Sequence, residues 1–163
     1  MTKLYLYYII LYKYEFEQAL YFMIKISRQA DYALQLIVGL SKLKKGERLS
    51  LKMFSNKSSI SFLFLQKIAK KLREAKLIEA IKGKRGGYRL KKATDKITLK
   101  DVIEAIEGPY GATDCSKLNR ECQKADKCGI KHGLGKLNSQ IIKYLESVTV
   151  SSMEQQKMSD VRV

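Results

Sequence analysis

The chain holds 163 residues, 45% apolar and 29% charged, a balance that belongs to a folded protein and excludes collagenous, mucin-like and transmembrane classes. Its length suits one core with an appended element and is too short for two full catalytic lobes. Lys and Arg number 32 against 16 Asp and Glu, and the net charge of +16 calls for a polyanion, nucleic acid first. Residues 61–100 carry 13 basic and 3 acidic side chains, so the charge is concentrated as on a binding face.

Residues 1–22 stand apart, with six of the ten tyrosines and an apolar run from Leu4 to Tyr12 that stops at Lys13. That run is far shorter than the ~20 residues a bilayer requires. Tyr14-Glu15-Phe16-Glu17 offers no small-residue cleavage site, and the segment has no basic face for a membrane surface. We read residues 1–22 as a leader upstream of a true start at Met23, and expect no membrane partner.

From Met23 the pattern is mainly helical. Ser27 caps a helix with Ala30, Ala33, Leu34, Ile37, Val38 and Leu40 at three- and four-residue steps, running toward a turn at Gly46. Ser50 opens a short helix through Lys57, Ser58-Ser59-Ile60 breaks it, and Ser61 opens another with Phe62, Leu65, Ile68, Ala69 and Leu72 on one face. Two helices about so tight a turn predict helix-turn-helix. Leu77-Ile78-Glu79-Ala80-Ile81 and Tyr88-Arg89-Leu90, joined through Gly83-Lys84-Arg85-Gly86-Gly87, predict a basic hairpin, so the fold class is mainly α with a small β wing. Lys84 and Arg85 fall at the wing tip, where a cation enters a narrow minor groove.

Thr98-Leu99-Lys100-Asp101 has capping-box spacing and starts a helix that Gly108 and Pro109 end. A loop to Ile130 then carries Cys115, Cys122 and Cys128. An odd cysteine count without a secretory signal argues for a reducing, cytoplasmic compartment and for thiolates that bind metal or sense oxidants. Leu134, Leu137, Ile141, Leu145 and Val148 form a stripe that either packs on its own domain or pairs with a second copy. We expect pairing, because helix-turn-helix readers commonly act as dimers. The division is a winged helix-turn-helix over 23–108, a cysteine loop over 109–130, a dimerisation helix over 131–150 and a disordered tail over 151–163.

Four ordered motifs then carry a resemblance: Met23 to Leu34 with its Asp31-Tyr32-Ala33-Leu34, the helix start Ile60 to Leu65, the wing Gly83 to Leu90, and Ile97 to Pro109. Together they resemble the bacterial winged-helix regulators of the IscR/NsrR type, and Leu145 to Val150 is similar to that family's C-terminal segment. The resemblance spans Met23 to about Met153. It implies a homodimer with crossing C-terminal helices, double-stranded operator DNA as partner, and in many members three cysteines on an iron-sulfur cluster.

The spacing Cys115-x6-Cys122-x5-Cys128 lacks the short C-x2-4-C knuckle usual in structural zinc sites, and a wide polar loop suits a larger inorganic core. For the fourth ligand the resemblance offers two residues. In the NsrR-like branch the aspartate of an Asp-Tyr-Ala-Leu segment ligates from the partner subunit, which points to Asp31 and a 4Fe-4S cluster. In the IscR-like branch a histidine follows the third cysteine by three residues; here Lys131 stands there and His132 is one later, turned by about 100 degrees on a helix. We place Asp31 first, with His132 and a 2Fe-2S cluster as the alternative.

For DNA we expect Leu63, Phe64, Gln66 and Lys67 toward the groove, with Gln66 on adenine and Phe64 on a thymine methyl. Lys70, Lys71 and Arg73 would meet phosphates or simply form a solvated face. The reading is a dimeric repressor switched by a cluster that senses nitric oxide, redox stress or iron-sulfur status. Its alternatives are a cluster-free thiol-redox or ligand-responsive regulator of the same fold and, behind that, an RNA-binding module, although Tyr88 is the lone aromatic of the wing. No hydrolase triad, P-loop or dinucleotide fingerprint supports an enzyme.

Overall fold

The computed structural model describes residues 26–83, 86–117 and 127–159. The expected leader over 1–22 lies outside them, as do Lys84, Arg85 and Cys122. The architecture among the described residues is mainly helical with one two-stranded antiparallel sheet.

Helix α1 (Arg28–Ser41) starts where the Ser27 hydroxyl accepts from the Ala30 amide at 3.2 Å. It buries Ala30, Ala33, Leu36, Ile37 and Leu40. Leu36 belongs to this face although the spacing argument passed over it, and Leu34 and Val38 are only half-buried.

Helix α2 (Leu51–Ser58) and helix α3 (Phe62–Glu74) form the helix-turn-helix. Ser59 takes a left-handed backbone (φ +58), Ser55 donates to the Ile60 carbonyl at 2.6 Å, and Ile60 plugs the turn from inside. The other end of α3 closes by a Schellman pattern: Leu77 N–H donates to the Leu72 carbonyl at 3.0 Å and Lys76 N–H to the Arg73 carbonyl at 2.9 Å. Leu72 and Leu77, the two residues such a cap brings together, are both buried.

Strands β1 (Ile78–Ile81) and β2 (Gly87–Leu90) form the wing, with Ile78 opposite Leu90 and Glu79 opposite Arg89. Leu49 adds a one-residue bridge to Tyr88, two amide bonds of 2.9 Å. This fixes Gly87, because a Cβ there would stand 2.8 Å from the Leu49 carbonyl oxygen.

Helix α4 (Leu99–Glu107) opens with the expected capping box: Asp101 N–H donates to Thr98 Oγ1 at 3.0 Å and Thr98 N–H to Asp101 Oδ2 at 2.9 Å. Val102, Ile103 and Ile106 carry it into the core against α1 and α3. Helix α5 (Lys131–Ser147) lies against α4 and buries Asn138, Ile141 and Leu145. The stripe expected to meet a second copy is therefore spent, at Ile141 and Leu145, on its own chain. The reason is geometric: α5 packs along α4, and Ile141 and Leu145 join the core there.

A second difference lies beyond Ser147. The chain returns to the start of α4, with Leu99 N–H to the Val148 carbonyl at 2.8 Å and Val150 N–H to the Ile97 carbonyl at 2.9 Å. Residues expected to form a disordered tail from 151 are instead helical to Ser159, in helix α6 (Val150–Ser159). Thr149 and Ser152 exchange side-chain to backbone bonds of 3.0 and 3.2 Å at its start. Val150 is fully buried, and Ser41 of α1 donates to the Glu154 carboxylate. The helix owes its existence to docking rather than to its polar composition.

Candidate DNA interface and cysteine cleft

The recognition helix presents one face outward. Phe62, Leu63, Gln66, Lys67 and Lys70 recur at one- and four-residue steps and are exposed, Leu63 to 69%, while Leu65, Ile68 and Leu72 turn inward as expected. Lys70 stands 4.0 Å from Glu74, a loose, exposed pair that leaves its ammonium accessible. Phe62, 40% exposed at the N-terminal end, belongs to this face. The spacing groups it with the apolar face of Leu65 and Ile68, yet it shares the exposed stripe of Gln66 and Lys70.

Two residues expected on DNA are engaged elsewhere. Phe64 is half-buried and meets Tyr32 of α1 edge to face, ring centroids 5.7 Å apart at 87°, so its ring stabilises the α1–α3 contact instead of offering itself to a thymine methyl. Lys71 is half-buried and its Nζ donates to the Ile106 carbonyl at 2.6 Å. Sequence spacing alone does not reveal this, since the acceptor lies 35 residues away on another helix. Lys84 and Arg85 fall between Gly83 and Gly86 at the hairpin end, outside the described residues.

The second candidate site is a cleft of about 1010 Å³ at the start of α5. Cys115, Cys128 and His132 line it together with Asn138. Cys115 is exposed in a 3-10 turn (Asp114–Ser116), 3.2 Å from the Thr113 hydroxyl, and Cys128 is half-buried just before α5; both thiols are free. Asn138 holds the segment in place by accepting from the Ala112 amide at 2.8 Å. Its burial follows from that task, which composition gave no means to foresee. Nearer α4, Glu104 accepts from the Tyr110 amide at 3.0 Å, and burial, with Glu107 adding to it, holds the Tyr110 hydroxyl above its ordinary pKa.

Asp31 occupies the first turn of α1, where it accepts from Gln35 Nε2 at 3.2 Å, and it does not line the cleft. Among the described residues no three His, Cys, Asp or Glu side chains converge closely enough to hold a metal ion. The donor set nonetheless fits a thiolate-held group: two free thiols and an imidazole border one open cleft, and Cys122 lies in the adjoining segment outside the described residues.

Among the described residues no helix is long and apolar enough to cross a membrane. The family model described as Rrf2, iron-dependent transcriptional regulator, matches residues 26–156. The chain is 28% identical over 130 residues to the HTH-type transcriptional regulator NsrR of Bacillus licheniformis, covering 79% of this chain and 91% of that one. Among solved structures it is similar to CymR (YrzC), the global cysteine regulator of B. subtilis, with a TM-score of 0.66, 26% identity and coverage of 82% of this chain and 98% of CymR. The fold is also that of T. potens IscR, with a TM-score of 0.64 at 22% identity over 86% of this chain and 93% of that one. With the wing, the outward face of α3 and the family match over most of its length, the chain belongs to the Rrf2 family and is a DNA-binding transcriptional regulator, not an enzyme.

Proposed function

We propose that the chain is a homodimeric repressor whose affinity for double-stranded operator DNA is set by an iron-sulfur cluster on Cys115, Cys122 and Cys128. The observation that carries this reading is the common cleft of Cys115, Cys128 and His132 at the start of α5. Thiolates with a nitrogen or oxygen donor are the ligands such clusters take. When bound, the group supplies a centre open to attack by nitric oxide and oxidants. His132 lines the cleft and supports a fourth ligand from the same chain; Asp31, on α1, fills that role only as a ligand from a second copy. Ile130, 66% exposed, and Tyr144, 54% exposed, supply apolar surface at α5 for that second copy.

On DNA, Gln66 and Leu63 read base edges while Lys67 and Lys70 meet phosphates. The cysteines lie on the segment between α4 and α5, and both helices pack into the core that carries α3. Ordering or release of that segment is expected to change operator affinity by about 1–3 kcal/mol.

A second reading has its own support. Cys115 and Cys128 are free thiols, and a solved relative is the cysteine regulator CymR, so a cluster-free switch by thiol chemistry is the rival. Anaerobic purification with iron and sulfide assays, a visible spectrum and a nitric oxide titration decides between them. About four irons per chain, with a band lost on nitric oxide, support the 4Fe-4S sensor and Asp31; about two move the fourth ligand to His132. A colourless, iron-free protein that still binds duplex DNA leaves the thiol switch. In the cluster reading, Cys122→Ala yields a folded protein with less iron and altered operator affinity, and unchanged affinity removes the sensing role.

A further inference from the structure

Helix α4 ends without a basic residue in its own last turn, although its terminal carbonyls carry the negative end of the helix dipole. The cation comes from another helix: Lys71 Nζ of α3 donates to the Ile106 carbonyl at 2.6 Å. That carbonyl stands two residues before Gly108, where the cysteine segment leaves the core. The next anchors follow in order, Tyr110 N–H on Glu104 Oε1 at 3.0 Å and Ala112 N–H on Asn138 Oδ1 at 2.8 Å, ahead of Cys115. Lys71 of the recognition helix and Tyr110 of the cysteine segment thus meet the last turn of α4 by direct hydrogen bonds, and Ala112, pinned to α5, leads into the cysteine turn.

We propose that Lys71 is a positioning residue rather than a phosphate contact: it ties the recognition helix to the end of α4 and passes changes in the cysteine segment to the tilt of α3. The second half rests on the switch described under Proposed function. A half-buried, charge-assisted bond to a single carbonyl is sensitive to small shifts of its acceptor, whereas an exposed lysine such as Lys70 re-aims freely. Lys71 lies two turns beyond Leu63 and on the inward side of α3, so displacing Ile106 rotates the reading face instead of unfolding it.

The test uses the full chain and a duplex selected from a random-sequence library by the wild-type protein. Lys71→Met keeps the apolar stem and removes the donor. Its affinity is expected to fall about tenfold. The slope of log affinity against log salt is expected to stay at the wild-type value. A phosphate contact instead lowers that slope by about 0.9, and this result, or unchanged affinity, overturns the proposal. The ratio of affinities between iron-loaded and chelated protein is expected to collapse toward one in Lys71→Met, and a retained wild-type ratio overturns the relay. If the wild type itself shows no ratio, the switch fails, while affinity and slope still decide the position of Lys71. Should Lys71→Met not fold, Lys71→Arg carries the test. A phosphate contact tolerates the longer cation, whereas a contact fitted to one Nζ weakens binding at constant slope.

Discussion

Lys76 sits where a helix end ordinarily uses glycine, at φ +58 with both Schellman bonds made around it. A left-handed backbone costs an L residue roughly 1 kcal/mol or more, and Lys76 is exposed, so nothing else in its surroundings requires the side chain. Lys76→Gly is expected to stabilise the fold by about 0.5–1 kcal/mol, part of the gain being offset by the greater freedom of glycine when unfolded. Thermal melting checks it, as a rise of about 1–4 °C. At the reading face the expectation runs the other way. Gln66→Ala leaves stability unchanged, since the side chain is exposed, and costs about 1–3 kcal/mol of discrimination at one base pair in a binding-site selection.

At the level of elements, legibility followed how local the cause was. Thr98 and Asp101 are three residues apart and satisfy each other's backbone groups, so the start of α4 could be read directly. The helix-turn-helix and the wing were equally visible, because apolar spacing and turn residues lie within each element. Helix α6 was not: Ser151-Ser152-Met153-Glu154-Gln155-Gln156 has no apolar face, and the segment is held by Val150 in the core and by Ser41 on α1, more than 100 residues back. The same limit hid the partners of Lys71 and Phe64, each on a helix remote in sequence. For the candidate cysteine cleft the sequence offered residue types only: that His132 lines it depends on how α5 is laid against α4, and that Asp31 does not line it on the place of α1. Val150→Ala is expected to lower stability by about 2 kcal/mol and to release α6, checked by melting and by faster amide exchange confined to residues 150–159.

For the whole molecule, charge sets how the protein meets DNA. A net charge of +16 on this short a chain makes association steep in salt, but only those lysines that reach phosphates enter the slope. Lys67→Ala and Lys70→Ala are each expected to lower it by about 0.9 and to weaken all sequences alike, in contrast to Gln66. Lys100, by comparison, is used inside the fold: its bond to Glu146 at 2.8 Å fastens α4 to α5 and holds its amine above the ordinary pKa.

The cysteine segment leaves from the C-terminal end of α4 at Gly108 and comes back as α5 packed on that same helix, with Val148 closing onto Leu99 at its other end. Departure and return thus share a rod of nine residues, about 14 Å long. Lengthening a loop between fixed ends costs only about 0.6 kcal/mol per doubling. Residues between Ser116 and Cys128 can therefore be extended, shortened or exchanged while α1, α3 and the wing keep their places. The cysteine-bearing stretch is thus a replaceable cartridge on a fixed chassis: its length and residues can vary without the DNA-reading body relearning how to fold.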